Sequence, residues 1–210
     1  MVSILVLYGT GEGQTATVAE RLVAVFAERG HDATAIDADD VPSDLEVETF
    51  DAVCLGASIH MGSHQSAVRE FASDNRDALA TRPTAFVQLS LSSAVDDEGR
   101  RAEAAGYVDD FLEETGWQPD RIGLFGGALR YSKYGFLKRL VMKRIARDAT
   151  GDTDTSQDYE YTDWHEVEAF AADFAAFVEQ RLGVVPPGAT AGDVDDGADE
   201  EHAGDGARDE

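Results

Sequence analysis

The 210-residue chain is long enough for one α/β domain and a tail, and its 43% apolar content supports a real core. Forty-two acids against 17 bases give a net charge of −25, which excludes nucleic-acid binding by the body of the chain. The chain has no apolar run of membrane-spanning length, no leader-like start and no expected metal site.

The single cysteine, Cys54, lies in the apolar run Ala52-Val53-Cys54-Leu55 and reads as a small core residue of a reducing cytoplasm. Self-repulsion of this size fades in molar salt, where the Debye length is about 3 Å. The composition therefore reads as that of a cytosolic protein from a high-salt cell.

Residues 2–8 are a continuous apolar run, predicted as a strand buried on both faces. A glycine-rich turn follows, and then a helix over 15–29 with Val18, Ala19, Leu22, Val23 and Phe26 on one side. A short second strand covers 33–37. The third, 50–57, opens into Ser58-Ile59-His60-Met61-Gly62 and a helix bearing Ala67, Val68, Phe71 and Ala72. The fourth, 84–89, opens into Ser90-Leu91-Ser92-Ser93 and a helix bearing Ala104, Val108, Phe111 and Leu112. The fifth is predicted over 121–129. The last helix begins near Thr162 or Asp163, with Glu166 placed for a capping box, and ends at Gly183.

Strands alternating with helices imply a doubly wound parallel sheet with right-handed crossovers, in the order 2-1-3-4-5. Ligands of such sheets bind beyond the carboxyl ends of the strands at the switch point, so the loops after strands one, three and four converge there. From residue 184 on, nine acids stand against Arg208, with Pro186 and Pro187 and little to bury. The expected division is a domain over 1–183 and a disordered acidic tail over 184–210.

Strand, glycine-rich turn and helix offer backbone N–H groups to a phosphate. Thr10, Gly11, Glu12, Gly13, Gln14 and Thr15 form that turn. Gln14 stands where a P-loop needs Lys, and also where a dinucleotide fingerprint needs its third glycine. With no base in the turn, the fitting ligand is a terminal monophosphate held by amides and hydroxyls, as in FMN. The flavin ring then falls between Ser58, Ile59, His60, Met61 and Gly62 on one side and Leu89, Ser90, Leu91 and Ser92 on the other. Val6-Leu7-Tyr8-Gly9-Thr10-Gly11-Glu12-Gly13-Gln14-Thr15, with Ala19 and Leu22, resembles the FMN-phosphate signature of the flavodoxins. His60 and His64 are candidates for moving protons near the ring. No catalytic acid or base is nominated.

Between Asp120 and Asp148 there is no acid, yet eight of the 17 bases and all three lysines lie there. Within this basic insertion, about 130–160, residues 132–147 read as an amphipathic helix with Phe136, Leu137, Leu140, Val141 and Ile145 on one side. Arg130, Lys133, Lys138, Arg139 and the apolar Phe136, Leu137 and Leu140 are candidates for contact with an anionic substrate or an anionic membrane surface. The pattern does not choose between them.

Gly56-Ala57-Ser58-Ile59, Gly127-Ala128-Leu129-Arg130-Tyr131, the basic insertion, Thr153-Asp154-Thr155 and Tyr161-Thr162-Asp163-Trp164 narrow the resemblance. They are similar to the flavodoxin-type, quinone-dependent protoporphyrinogen IX dehydrogenase family over about residues 2–182. The resemblance implies FMN, a tetrapyrrole substrate, a quinone acceptor, and a cytoplasmic enzyme peripherally attached to the inner face of the cell membrane. A soluble FMN electron carrier and a quinone reductase with a non-porphyrin substrate remain as alternatives.

Overall fold

The computed structural model describes residues 1–134, 136–151 and 154–185, without the side chains of 136–140, 148 and 149. The expected tail, except for Val184 and Val185, lies outside the described residues.

Five parallel strands form the central sheet: β1 (Ser3–Gly9), β2 (Asp32–Asp37), β3 (Ala52–Ser58), β4 (Thr84–Ser90) and β5 (Arg121–Gly126). Their order is β2-β1-β3-β4-β5, as expected. Alternation along each strand divides the core into two layers. Ile4, Val6, Cys54 and Val87 face helices α1 (Gln14–Glu28) and α6 (Trp164–Leu182), where Phe26 meets Phe174 edge to face. Leu5, Leu7, Leu55 and Phe86 face α2 (Ser66–Asp74) and α4 (Glu98–Thr115), where Phe86 stacks on Phe111 and Trp117 closes the cluster. Burial on both faces is why β1 reads as an unbroken apolar run. A one-turn helix, α3 (Arg76–Leu79), follows α2.

The predicted fifth strand ends early. At Gly126 a Cβ would lie 2.3 Å from the Tyr161 carbonyl oxygen, so the returning chain crosses the strand directly there. Gly127 donates to Ser90 O, and Tyr161 N–H donates to Gly127 O. The chain then leaves the sheet as β6 (Ala128–Leu129), which pairs antiparallel with β7 (Tyr159–Glu160). These two strands form the root of the insertion. Its helix, α5 (Phe136–Ala149), starts later than expected because residues 131–133 form a 3-10 turn instead. Leu129, Tyr131, Tyr134 and Ala146 make a third small core that fixes α5 to this root.

His64 does not reach the strand-end loops where a flavin ring was expected to lie. It is buried between Phe86 and Phe111 and shares a 2.8 Å hydrogen bond with Gln88 Oε1, while Gln88 Nε2 donates to Ala104 O. Burial lowers its pKa from an ordinary 6.5 to about 4, against the opposing hydrogen bond from Gln88. The folded state thus binds this proton more weakly than the unfolded chain. The stabilisation is complete above pH 6.5 and is lost as pH falls through the folded pKa of about 4. Roughly 3 kcal/mol of pH-dependent stability is at stake. His64→Met is expected to flatten the decline of thermal stability between pH 6.5 and 4 relative to wild type, and parallel declines would refute this assignment.

Candidate cofactor and substrate site

The ends of β1, β3 and β4 meet at the switch point between β1 and β3. The turn after β1 shapes the first wall. Gly13 has φ +97° and caps α1 without any side-chain hydrogen bond, and the first turn of α1 carries no acid. By contrast, Asp97 and Asp163 cap α4 and α6 with their carboxylates. Thr10 Oγ1 accepts from Gly13 N–H at 2.9 Å and holds the turn closed. Thr15 Oγ1 is buried with no hydrogen-bond partner. A buried orphan hydroxyl beside uncapped N–H groups is costly unless something accepts from it. A phosphomonoester fits these donors, and Gly11 leaves open space before them.

The second wall is tied internally. Ser58 N–H donates to Gln65 Oε1, and Gln65 Nε2 donates to Ser58 Oγ at 2.7 Å. Ile59 N–H donates to Leu89 O, joining the two strand-end loops. His60 and Ser63 exchange backbone hydrogen bonds across Met61 and Gly62, both at positive φ. Met61, at φ +54°, is a non-glycine residue held in the left-handed region with its side chain 91% exposed.

A narrow cleft of about 70 Å³ is lined by Thr10, Gly11, Glu12, Gln14 and Thr15 together with Ser58, Ile59, His60, Leu89, Ser90 and Leu91. These are most of the residues expected from sequence. Gly13 shapes the loop from behind instead, and Gly62 lies off the cleft. Gly127, Ala128 and Met142 also line it and were not anticipated.

The cleft shares Ile59, His60, Ser90, Leu91 and Met142 with a larger cavity of about 510 Å³. Met61, Ser92, Val141 and Ile145 add to its walls. Its polar edge is Arg100, Glu103 and Tyr107, one face of α4 whose role the apolar reading of that helix missed. Ser92 Oγ donates to Glu103 at 2.8 Å, Arg100 pairs with it at 2.9 Å, and the Tyr107 hydroxyl also reaches it. The Ser92 hydrogen bond, assisted by Arg100, lowers the Glu103 pKa, so the carboxylate is ionised at neutral pH. Polar residues spaced 100, 103 and 107 on a helix that follows a site loop are the sequence signal that could have found this edge.

Arg130 and Lys133, expected at a substrate or membrane surface, are instead brought against the phosphate-loop candidate. Lys133 Nζ donates to Glu12 O at 2.6 Å, and Arg130 Nη2 donates to Gln14 Oε1 at 2.5 Å. Tyr134 is buried in the root and donates to the Glu12 carboxylate. Burial and Glu12 both raise the Tyr134 pKa, which keeps that hydroxyl protonated. Phe136, Leu137, Lys138, Arg139 and Leu140 belong to α5, with side chains outside the described set. No helix among the described residues is long and apolar enough to cross a membrane.

The flavodoxin domain profile matches residues 5–156. The protoporphyrinogen IX dehydrogenase [quinone] of Escherichia coli K12 is 34% identical over 176 residues, covering 84% of this chain and 96% of that protein. The protein of the same name from Leishmania major is 32% identical over 176 residues, covering 82% and 74%. A short-chain flavodoxin associated with a bacterial microcompartment matches with TM-score 0.51 at 13% identity, over 85% of this chain and 99% of that one. A Pseudomonas aeruginosa flavodoxin variant matches with TM-score 0.51 at 14% identity, over 84% and 99%.

Proposed function

The chain belongs to the flavodoxin domain family, within the branch that holds the quinone-dependent protoporphyrinogen IX dehydrogenases, and on that premise we propose that it is an FMN-dependent oxidoreductase converting protoporphyrinogen IX to protoporphyrin IX. The carrying observation is the cavity of about 510 Å³ beside the cleft, walled by α5. A bare electron carrier needs no second chamber.

Residues 1–183 form the flavin domain. Thr10–Thr15 would hold the FMN phosphate, and residues 58–62 and 89–92 would flank its ring. When bound, FMN accepts electron pairs from the tetrapyrrole and gives them to a quinone, through three two-electron steps per porphyrin. The chain's own part is binding and orientation. Met142 and Leu91 line both spaces and would hold the substrate against the flavin. The ionised Glu103 faces the cavity as an acceptor for pyrrole N–H donors, while Arg100 lies at the same edge for a propionate. Ile59, Val141 and Ile145 cover the apolar faces of a flat ring and keep water from them.

Anaerobic reduction of bound flavin by protoporphyrinogen, followed by reoxidation with a menaquinone analogue, tests this reading, and a flavin that stays oxidised would end it. Val141→Trp, at a position 58% exposed, is expected to fill the cavity without disturbing the fold. It should raise the KM for protoporphyrinogen roughly tenfold and leave FMN affinity unchanged.

Thr15→Val should weaken FMN by about 10- to 150-fold, the loss of a hydrogen bond to a charged group at roughly 1.5–3 kcal/mol. Because Thr15 Oγ1 has no protein partner, the same change should not lower the melting temperature of the flavin-free protein. A destabilised apoprotein with unaltered FMN binding would contradict both halves.

The basic segregation in 121–147 supports peripheral attachment to an anionic membrane from the cytoplasmic side. In a high-salt cell only contact charges act, so apolar burial carries the affinity. Phe136→Ser with Leu140→Ser should abolish liposome binding at high salt, whereas reversal at Lys138 and Arg139 should matter more in dilute buffer. Wild-type protein that never sediments with anionic vesicles, at any salt concentration, would remove the membrane from this reading.

A further inference from the structure

We propose that the root of the insertion, Arg130–Tyr134, is the second half of the phosphate site, supplying the positive charge that the loop itself lacks. The inference rests on the FMN reading above. The loop holds one acid, Glu12, and no base, in a chain of net charge −25. A phosphate dianion held there by amides and hydroxyls still lies in the field of Glu12 and of the acidic chain, and a cation beside the loop would offset that repulsion.

The root answers this at three points. Tyr134 donates to the Glu12 carboxylate and turns that acid toward the insertion. Lys133 Nζ lies 2.6 Å from Glu12 O and 3.2 Å from where a Cβ on Gly13 would sit, which places an ammonium at the mouth of α1. An ammonium carries three N–H donors, and the Glu12 carbonyl takes one. Arg130 Nη2 holds Gln14 Oε1 while pairing with Glu160 at 2.8 Å, and Gln14 Nε2 donates to Thr162. Gln14 therefore bridges two segments that both follow β5.

The brace is itself anchored. Ser132 N–H and Oγ both donate to the Asp158 carboxylate, and Tyr131 is fully buried. Loop and root thus form one preorganised unit. The glycine turn supplies amides and the orphaned Thr15 hydroxyl, and the insertion supplies the cations. The ligand class that needs both halves is a flavin with a phosphomonoester, over the same flavin without it.

The test is flavin affinity of the full-length apoprotein for FMN and for riboflavin, by fluorescence quenching. Lys133→Met is expected to weaken FMN on the order of tenfold and to leave riboflavin unchanged. Lys133→Arg, which keeps the charge, should restore most of the loss. Adding Arg130→Gln to Lys133→Met should lower the FMN-to-riboflavin preference further. Lys133 is exposed, so the single variant is expected to fold as wild type. Equal losses for both flavins would show a brace that merely shapes the ring site and would overturn the proposal, as would FMN affinity within twofold of wild type. Wild-type protein that binds riboflavin as tightly as FMN would bring down the FMN reading itself, and this inference with it.

Discussion

A helix N-terminus with uncapped amides and a buried hydroxyl facing no acceptor is an unfinished hydrogen-bonding arrangement, and much of this site is arranged around it. The parallel sheet makes it possible. All five strands run the same way, so every β-to-α loop emerges at one edge, and the β1–β3 reversal opens a gap there. Two other helices that start near that edge, α4 and α6, are closed by their own carboxylates, Asp97 and Asp163. Only an external anion satisfies α1 in the same manner, because its cap, Gly13, has no side chain and a left-handed backbone.

The insertion changes what the edge can do. In a plain five-stranded unit the fifth strand leads to the last helix directly. Here the chain leaves the sheet at Gly127, forms the β6–β7 ribbon, and returns across Gly126 closely enough to exclude any side chain there. That crossing fixes where α5 begins, and the Leu129–Tyr131–Tyr134–Ala146 core fixes how it lies. Met142 consequently stands over the cleft while Val141 and Ile145 wall the larger cavity. One short excursion thus contributes contacts to the glycine-rich loop and walls to the cleft and the second chamber.

Sheet order and the glycine-rich turn after β1 were legible because they rest on local signals: unbroken apolar runs, a run of glycines, and helical stripes such as Val18, Leu22 and Phe26. The core role of Cys54 followed from its run in the same way. What sequence could not deliver was pairing across distance. Arg130 and Gln14 are far apart in the chain, and nothing local says that a guanidinium will meet that amide. The split at Gly127 escaped notice because Gly126, Gly127 and Ala128 continue an extended pattern, while the cause of the break, Tyr161, lies beyond the insertion. His64 misled for the opposite reason. It was paired with His60 as a candidate, yet it follows the His60–Ser63 turn just ahead of α2, and its ring packs between Phe86 and Phe111 in the core.

Charge segregation acquires a definite physical sense once the root is placed. In dilute solution, a basic segment on so acidic a chain would be drawn to its own body as readily as to any outside partner. At high salt that general attraction is screened to contact distance, and only geometry decides which acids the bases meet. The contacts found are specific ones: Lys133 to a carbonyl, Arg130 to an amide and one carboxylate, Ser132 to Asp158. These are hydrogen-bonded pairings at defined positions, and ionic strength weakens them far less than it weakens diffuse attraction. The root therefore stays seated on the loop under conditions that erase the long-range field. The further bases Lys143, Arg144 and Arg147 come later in the chain, along α5.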